Sequence, residues 1–380
     1  MNVVIAVTHL LGAGHLSRAL TLARAFAQQG HRVTVISGGT PVDQFDRGDV
    51  RFVQLPPLRS DGVNFTHLLT AEGVSVDDNY LRRRQTDQHD ALLKAQPDVL
   101  ITELFPFGRR VLRSEFLALL ESSESLAHKP LVLSSIRDIL APPSKAERAK
   151  SADQIIAQYY DGVLVHSDAK STPLDQSWPV SEALRRKLHY TGYVAPPPAG
   201  LHPEKAGDGE IIVSAGGGSV GDALFEIAVK AAHLSPSSTW RLLVGGSDSA
   251  TRIARLRAEA VGSATIVEPA RPDFRQMLYH AAGSVSMCGY NTALDLLQSG
   301  VPAVLVPFDD GGEVEQTLRA NSLTRLDGIA VIKTDALTPE ALLDTLATAR
   351  VKRRDPGAGL CFDGAKVSVS IAEDLLVNRK

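Results

Sequence analysis

Cysteine is almost absent: the 380 residues hold two, Cys288 and Cys361. They lie far apart and in no metal-ligand spacing, which excludes a disulfide scaffold and fits a reducing cytoplasm. Charge of one sign is missing too. Forty Lys and Arg against 43 Asp and Glu leave a net charge of −3, which advertises neither nucleic acid nor an acidic membrane surface as a partner. No apolar run approaches the ~18 residues of a membrane span. Met1-Asn2 leads straight into a strand pattern, so no signal peptide is expected. Peripheral contact at the inner face of a membrane stays open. No Asp-x-Asp tripeptide occurs, so no metal and no cofactor are expected. What is present is an ordinary soluble mixture, 44% hydrophobic and 22% charged. Its length exceeds one ordinary core and suits two domains.

One stretch organises the rest. Gly283 to Met287 reads as a short buried strand and Cys288-Gly289-Tyr290-Asn291 as a tight turn, where glycine or asparagine can take φ > 0. Thr292 to Ser299 reads as a helix closed by Gly300 and stopped by Pro302. A strand, Ala303 to Pro307, follows at once. Strand, turn, helix and strand within about 25 residues is the spacing of a parallel βαβ unit. The free N–H groups at that helix start favour an anion. Asp295, one turn in, can accept hydrogen bonds from two adjacent hydroxyls. Together these suit a nucleoside diphosphate.

The first half opens with Val3-Val4-Ile5-Ala6-Val7, apolar throughout as in a strand buried on both faces. After the turn Leu11 to His15, apolar residues recur at helical spacing through Phe26. Gly30 caps that helix, and Arg32 to Ile36 is the second strand of a Rossmann-like domain. Further strands are expected at 51–53, 99–102, 131–134, 162–165 and 189–193, with a long loop from Ser60 to Asp78. Gly12-x-Gly14-x-x-Ser17 is an incomplete dinucleotide fingerprint. The second strand ends Ile36-Ser37-Gly38-Gly39, without the acid that holds a nicotinamide cofactor's ribose. Gly14-His15-x-x-Arg18 places an imidazole at a helix N-terminus. There His15 is either a base kept neutral by the helix dipole or a surface cap, and His9 on the same turn is equally open. Glu103, Arg137-Asp138 and His166-Ser167-Asp168 each end a strand, where open α/β sheets line their ligand crevice. The alternative for each is a helix cap or a surface ion pair.

Val194 to Gly200, with three consecutive prolines, is stiff and extended. With Leu201 to Gly209 it divides the chain into 1–194, a linker 195–209, and 210–364, with helix 365–380 packing back on the first domain. The alternation restarts at Ile211 to Ser214, then Ala215-Gly216-Gly217-Gly218-Ser219-Val220-Gly221, then a helix from Asp222 to Ala232. Bare backbone in such a loop lets a phosphate approach closely; a flexible turn is the alternative. Strands are expected at 240–244, 264–267 and 329–332. A helix runs from the Glu268 to Phe274 turn through His280, and a last amphipathic helix spans Val367 to Val377.

These residues resemble the GT-B glycosyltransferases, and most closely the branch containing the N-acetylglucosaminyltransferase of peptidoglycan lipid synthesis. The resemblance covers the whole chain and is strongest over Ser214 to Ser219 and Met287 to Asn321. It implies two Rossmann-like α/β domains facing across a cleft. Asp295 before Gly300-Val301-Pro302 matches the family's ribose-binding acid, though glutamate is more usual there. Gln316 matches its sugar-binding glutamine, and Gly216 to Ser219 its diphosphate loop. The donor-binding set so implied is Ser214, Gly216, Gly217, Gly218, Ser219, Arg271, Gly289, Asn291, Thr292, Asp295, Glu315 and Gln316. On the acceptor side, Gly12, Gly14 and Arg18 surround His15, in a turn that lacks the family's usual run of glycines.

The activity implied is metal-independent, inverting transfer of a hexose or N-acetylhexosamine from a UDP-sugar co-substrate to an acceptor hydroxyl. The acceptor is a small molecule, a lipid-linked saccharide or a glycan. His15 is the general base, with Glu103 or Asp138 as the alternative, and hinge motion is expected at Pro196 to Pro198. The Gly-His-x-x-Arg pattern also looks like that of UDP-sugar hydrolases of nonulosonic acid synthesis, which share the fold, and some relatives are epimerases. A non-catalytic nucleotide-sugar-binding protein is the third reading.

Overall fold

A computed structural model describes residues 1–10, 13–42, 45–60, 67–216, 220–246, 248–308, 314–357 and 359–379. The chain forms two compact units, Met1–Pro196 with Asp363–Lys380, and Pro197–Phe362.

The first unit is built on an eight-stranded sheet. Its strands are β1 (Asn2–Val7), β2 (Arg32–Gly39), β3 (Arg51–Ser60), β4 (Leu68–Leu69), β5 (Val99–Glu103), β6 (Leu131–Arg137), β7 (Gly162–His166) and β8 (Leu188–Tyr190). Their order is β4-β3-β2-β1-β5-β6-β7-β8, parallel except for β4 against β3. β1, β5 and β7 are buried almost end to end. Both faces are covered, which is why these strands read as unbroken apolar runs. The helices are α1 (Gly14–Gln28), α2 (Asp78–Ala95), α3 (Arg113–Glu124), α4 (Ala146–Tyr159) and the single turn α5 (Glu182–Arg185). The chain winds outward from β1 to β4, then returns to lay β5 beside β1. A topological switch point therefore lies between β1 and β5, where an open α/β sheet has its crevice.

The second unit repeats the scheme in six parallel strands. They are β9 (Ile211–Ser214), β10 (Trp240–Val244), β11 (Thr265–Pro269), β12 (Gly283–Ser286), β13 (Ala303–Leu305) and β14 (Ile329–Val331), in the order β11-β10-β9-β12-β13-β14. Here the switch point falls between β9 and β12. The helices are α6 (Asp222–Leu234), α7 (Ser249–Glu259), α8 (Phe274–Met277), α9 (Tyr290–Ser299), α10 (Glu315–Leu323) and α11 (Pro339–Val351). The last helix, α12 (Gly364–Asn378), belongs to the first unit, where Val369 and Ala372 join the apolar cluster of α1 and β1. Among the described residues no helix is long and apolar enough to cross a membrane.

Several local expectations need correction. Residues 60–78 are not wholly loop: β3 runs to Ser60, and β4 pairs with its end as a short antiparallel strand. The strand is carried past Ile36 and Val53 by Gln54, whose side chain donates to the carbonyls of Ser37 and Gly39. The helix expected through His280 stops at Met277, because tighter i→i+3 bonds at Tyr279 and His280 take over. Gly289 has φ −63° and ψ 153°, so the turn before α9 needs no left-handed residue; Gly300, at φ 67°, does close the helix. Helix α11 was not expected. Its signature is present, since Thr338 Oγ1 accepts from Ala341 N and Pro339 occupies the first turn.

Candidate functional site

In the second unit, residues at the carboxyl ends of β9 and β12 enclose a cavity of about 200 Å³. Ser214, Gly216, Arg271, Asn291, Thr292 and Asp295 line it, with Leu243, Ala270 and Phe274. Ser214 ends β9 and its Oγ accepts from Gly216 N at 3.2 Å, bending the chain over the strand end. Gly216 sits at φ 79°, a conformation that favours glycine. Across the switch point, α9 starts directly after extended Gly289 with no side-chain cap. Its first N–H groups therefore have no intrahelical partner and carry the positive end of the helix dipole.

Asp295 faces this positive rim from one turn along α9. Its Oδ1 accepts from Arg275 Nε at 2.8 Å, and Arg275 also reaches Gln298 Oε1 at 2.7 Å and the carbonyl of Pro197 at 2.8 Å. Burial pushes the Asp295 carboxyl up to about 6, outweighing the attraction of Arg275. A carboxylate held at a desolvation cost beside a cavity is a mark of functional sites. Arg271 is fixed by Asp273, Nε to Oδ1 2.8 Å, so its charge reaches the cavity partly neutralised.

Gln316, at the start of α10, uses its Oε1 to accept from Cys288 N at 3.0 Å and Phe308 N at 3.2 Å. Two backbone donors fix the orientation of the amide, so the oxygen braces the turn before α9 and only the nitrogen is left to donate. Buried Arg319 supports the same turn through the Cys288 carbonyl, at 3.1 Å.

The first unit gathers a second cluster at its own switch point. His15 lies in the first turn of α1, after β1, and Glu103 ends β5. His15 Nδ1 is 2.9 Å from Glu103 Oε1, and Arg18 donates to the same oxygen. Ser135 Oγ donates to the other, Oε2, at 2.6 Å. Glu103 is 1% exposed. Burial pushes its carboxyl up, but Arg18 and His15 outweigh that and hold it well below the usual carboxylate range. Opposite an ionised acceptor, His15 carries its proton on Nδ1. Nε2 then presents a lone pair, without a partner among the described residues and open to solvent. Burial lowers the imidazole to about 3, with Arg109 and Arg18 adding to it and Glu103 opposing. His15 is thus neutral throughout the physiological range, with burial the largest cause.

His9 is buried, and burial lowers its imidazole, with the backbone of Thr40 opposing and Arg109 adding to it. Asp138 is also buried, but its charge acts on the phenol of Tyr193, whereas Glu103, Arg18 and Arg109 act on His15. Arg18 is a buried partner of Glu103, not an open ligand group, and Gly14 begins α1. Gly12, Gly217, Gly218 and Ser219 lie outside the described residues. Glu315 opens α10 and Gly289 precedes α9; neither lines the cavity. Arg275, Arg109 and Ser135 were not anticipated. Arg275 stands 20 residues before Asp295 on another helix, and no local pattern marks that pairing.

Comparison with known proteins places these features in context. The glycosyltransferase family 28 C-terminal domain matches residues 217–358. A Cupriavidus metallidurans protein named UDP-N-acetylglucosamine–N-acetylmuramyl-(pentapeptide) pyrophosphoryl-undecaprenol N-acetylglucosamine transferase is 27% identical over 345 residues, 88% of this chain and 86% of its own. A Rhodospirillum rubrum protein of the same name is 33% identical over 163 residues, 42% of this chain and 40% of its own. Among solved structures, Acinetobacter baumannii MurG superposes with a TM-score of 0.65 at 16% identity, over 98% of this chain and 100% of that one. The calicheamicin glycosyltransferase CalG4 gives 0.64 at 16%, over 100% and 98%. At such identities these two establish the fold, GT-B.

Proposed function

We propose that this chain, similar to the peptidoglycan N-acetylglucosaminyltransferases, is a GT-B glycosyltransferase that transfers a hexose or N-acetylhexosamine from a UDP-sugar to an acceptor hydroxyl, with inversion and without a metal. The observation that carries this is the convergence of Ser214, Gly216, the α9 start and Asp295 on one cavity, the last two within the domain matched by family 28. In this proposal the α9 N–H groups and the backbone at Gly216 stabilise the charge that develops on the leaving diphosphate. Fixed dipoles in a partly dry site do this without reorganising. Asp295 accepts from the ribose hydroxyls, and the Gln316 amide nitrogen donates to the sugar.

His15 takes the acceptor proton at Nε2 as the new glycosidic bond forms. Glu103 accepts the Nδ1–H and stabilises the resulting imidazolium, the division of labour of a histidine–carboxylate pair. The low proton affinity of resting His15 keeps Nε2 unprotonated, ready at any physiological pH. Low proton affinity and ionic saturation make Glu103 the partner of this base rather than its rival. The relatives' names point to UDP-N-acetylglucosamine as the first donor to try, and to a lipid-linked N-acetylmuramyl acceptor, which would bring the enzyme to a membrane surface.

His15→Ala is expected to slow UDP release from UDP-N-acetylglucosamine in the presence of acceptor by roughly 10²–10⁴-fold, while UDP affinity stays near wild type. Unchanged turnover would remove His15 from the chemistry. A chelator is expected to leave the rate intact; a rate restored only by Mg²⁺ would overturn metal independence. Complete release of free sugar without acceptor would replace transfer by hydrolysis.

A further inference from the structure

We propose that Ser135 and His166 are positioning residues for His15, forming a buried chain of hydrogen bonds that converges on Glu103 and sets how tightly His15 holds a proton. This rests on the reading of His15 as the base. The chain takes one group from each neighbouring strand end. Glu103 ends β5, and Ser135 is its register partner on β6. His166 ends β7, and Thr191 follows β8. Ser135 Oγ lies 2.6 Å from Glu103 Oε2 and 3.0 Å from His166 Nε2, and His166 Nδ1 lies 2.9 Å from Thr191 Oγ1. Ser135, His166 and Thr191 are all buried.

Donor counting fixes the direction. Glu103 is ionised and can only accept, so the single hydroxyl proton of Ser135 points at Oε2. The Ser135 oxygen must then receive a proton from His166, which puts N–H on Nε2. His166 Nδ1 then faces Thr191 Oγ1, whose single proton is shared between that nitrogen at 2.9 Å and the Gly192 carbonyl at 2.7 Å. Neutral His166 satisfies the contacts on the Glu103 side, and burial, with the positive charge of Arg18, keeps it neutral against the pull of Glu103. Glu103 so receives His15 and Arg18 on Oε1 and Ser135 on Oε2.

The consequence is electrostatic. The Ser135 donor, polarised by His166, withdraws negative charge from Glu103 and so weakens the acceptor facing His15 Nδ1–H. No proton travels along the chain: the one taken from the acceptor stays on His15 Nε2 until it leaves to solvent. The charged groups acting on His15 are Glu103 from β5, Arg18 from α1 and Arg109 from the segment after β5. None of them is Ser135 or His166, which act only through Glu103.

The test is NMR of the full chain carrying ¹⁵N-labelled histidine, with His15→Gln and His166→Gln assigning the two rings. Nδ1–H is expected on His15 and Nε2–H on His166. In Ser135→Ala the His15 Nδ1–H proton should move downfield. The pH at which the His15 ring takes up its second proton, followed by the same ¹⁵N shifts, should rise by about half to one unit, as for a carboxylate losing one of three donors. An amide spectrum of Ser135→Ala that matches wild type away from the ends of β5 to β8 guards against misfolding of that variant. An Nδ1–H or doubly protonated His166, or a His15 signal and ring titration unmoved in Ser135→Ala, would overturn the relay while an inactive His15→Gln still upheld the base. A fully active His15→Gln would instead sink the base, and the relay with it.

Discussion

At Asp295 burial works against charge. The folded chain raises the carboxyl from 3.8 to about 6. A raised carboxyl favours the fold fully below its unfolded value and loses that contribution as pH climbs through 6. At pH 7 the ionised group is held at a cost that Arg275 only partly offsets. If the carboxylate accepts from a ribose, binding of UDP-N-acetylglucosamine should weaken as pH falls through 6 and the group is protonated. Asp295→Asn should bind about tenfold more weakly and lose that pH dependence, with no fall in melting temperature at pH 7. Calorimetric titrations between pH 5 and 7.5 decide it, and a flat profile in the wild type would withdraw the ribose role.

Among the elements, the contact of α2 with α3 under the end of β2 depends on one buried ion pair. Arg84 of α2 meets Glu115 of α3 through two bonds of 2.8 Å and donates to the carbonyls of Gly38 and Pro56. Gly38 leaves room for this: a Cβ there would stand 2.3 Å from Thr8 Oγ1 and 2.4 Å from Arg84 Nη2. Glu115→Ala strands a fully buried guanidinium and should cost about 3 kcal/mol or more in a urea melt; a loss under 1 kcal/mol would show the pair to be dispensable. None of this was legible in the sequence, where Arg84 reads as one of three consecutive surface arginines and Gly38-Gly39 only as a strand lacking an acid. The strands and α9 were legible because burial on both faces, or on one helical stripe, writes itself into local periodicity. Arg84 with Glu115, Arg275 with Asp295 and Ser135 with Glu103 are pairings across elements, and periodicity carries no trace of them.

In the whole molecule, the two sheets place their chemistry by one rule. Each unit reverses its winding once, and each candidate cluster stands at that reversal: His15 with Glu103 between β1 and β5, and the lined cavity between β9 and β12. The second unit is therefore expected to hold the nucleotide, and hydrogen–deuterium exchange with and without UDP reads this amide by amide. Slowed exchange at Tyr290, Asn291 and Thr292, with the β1–α1 turn unchanged, is the expected result. Undisturbed exchange at those three amides, or protection confined to the first unit, would contradict a donor site at the start of α9.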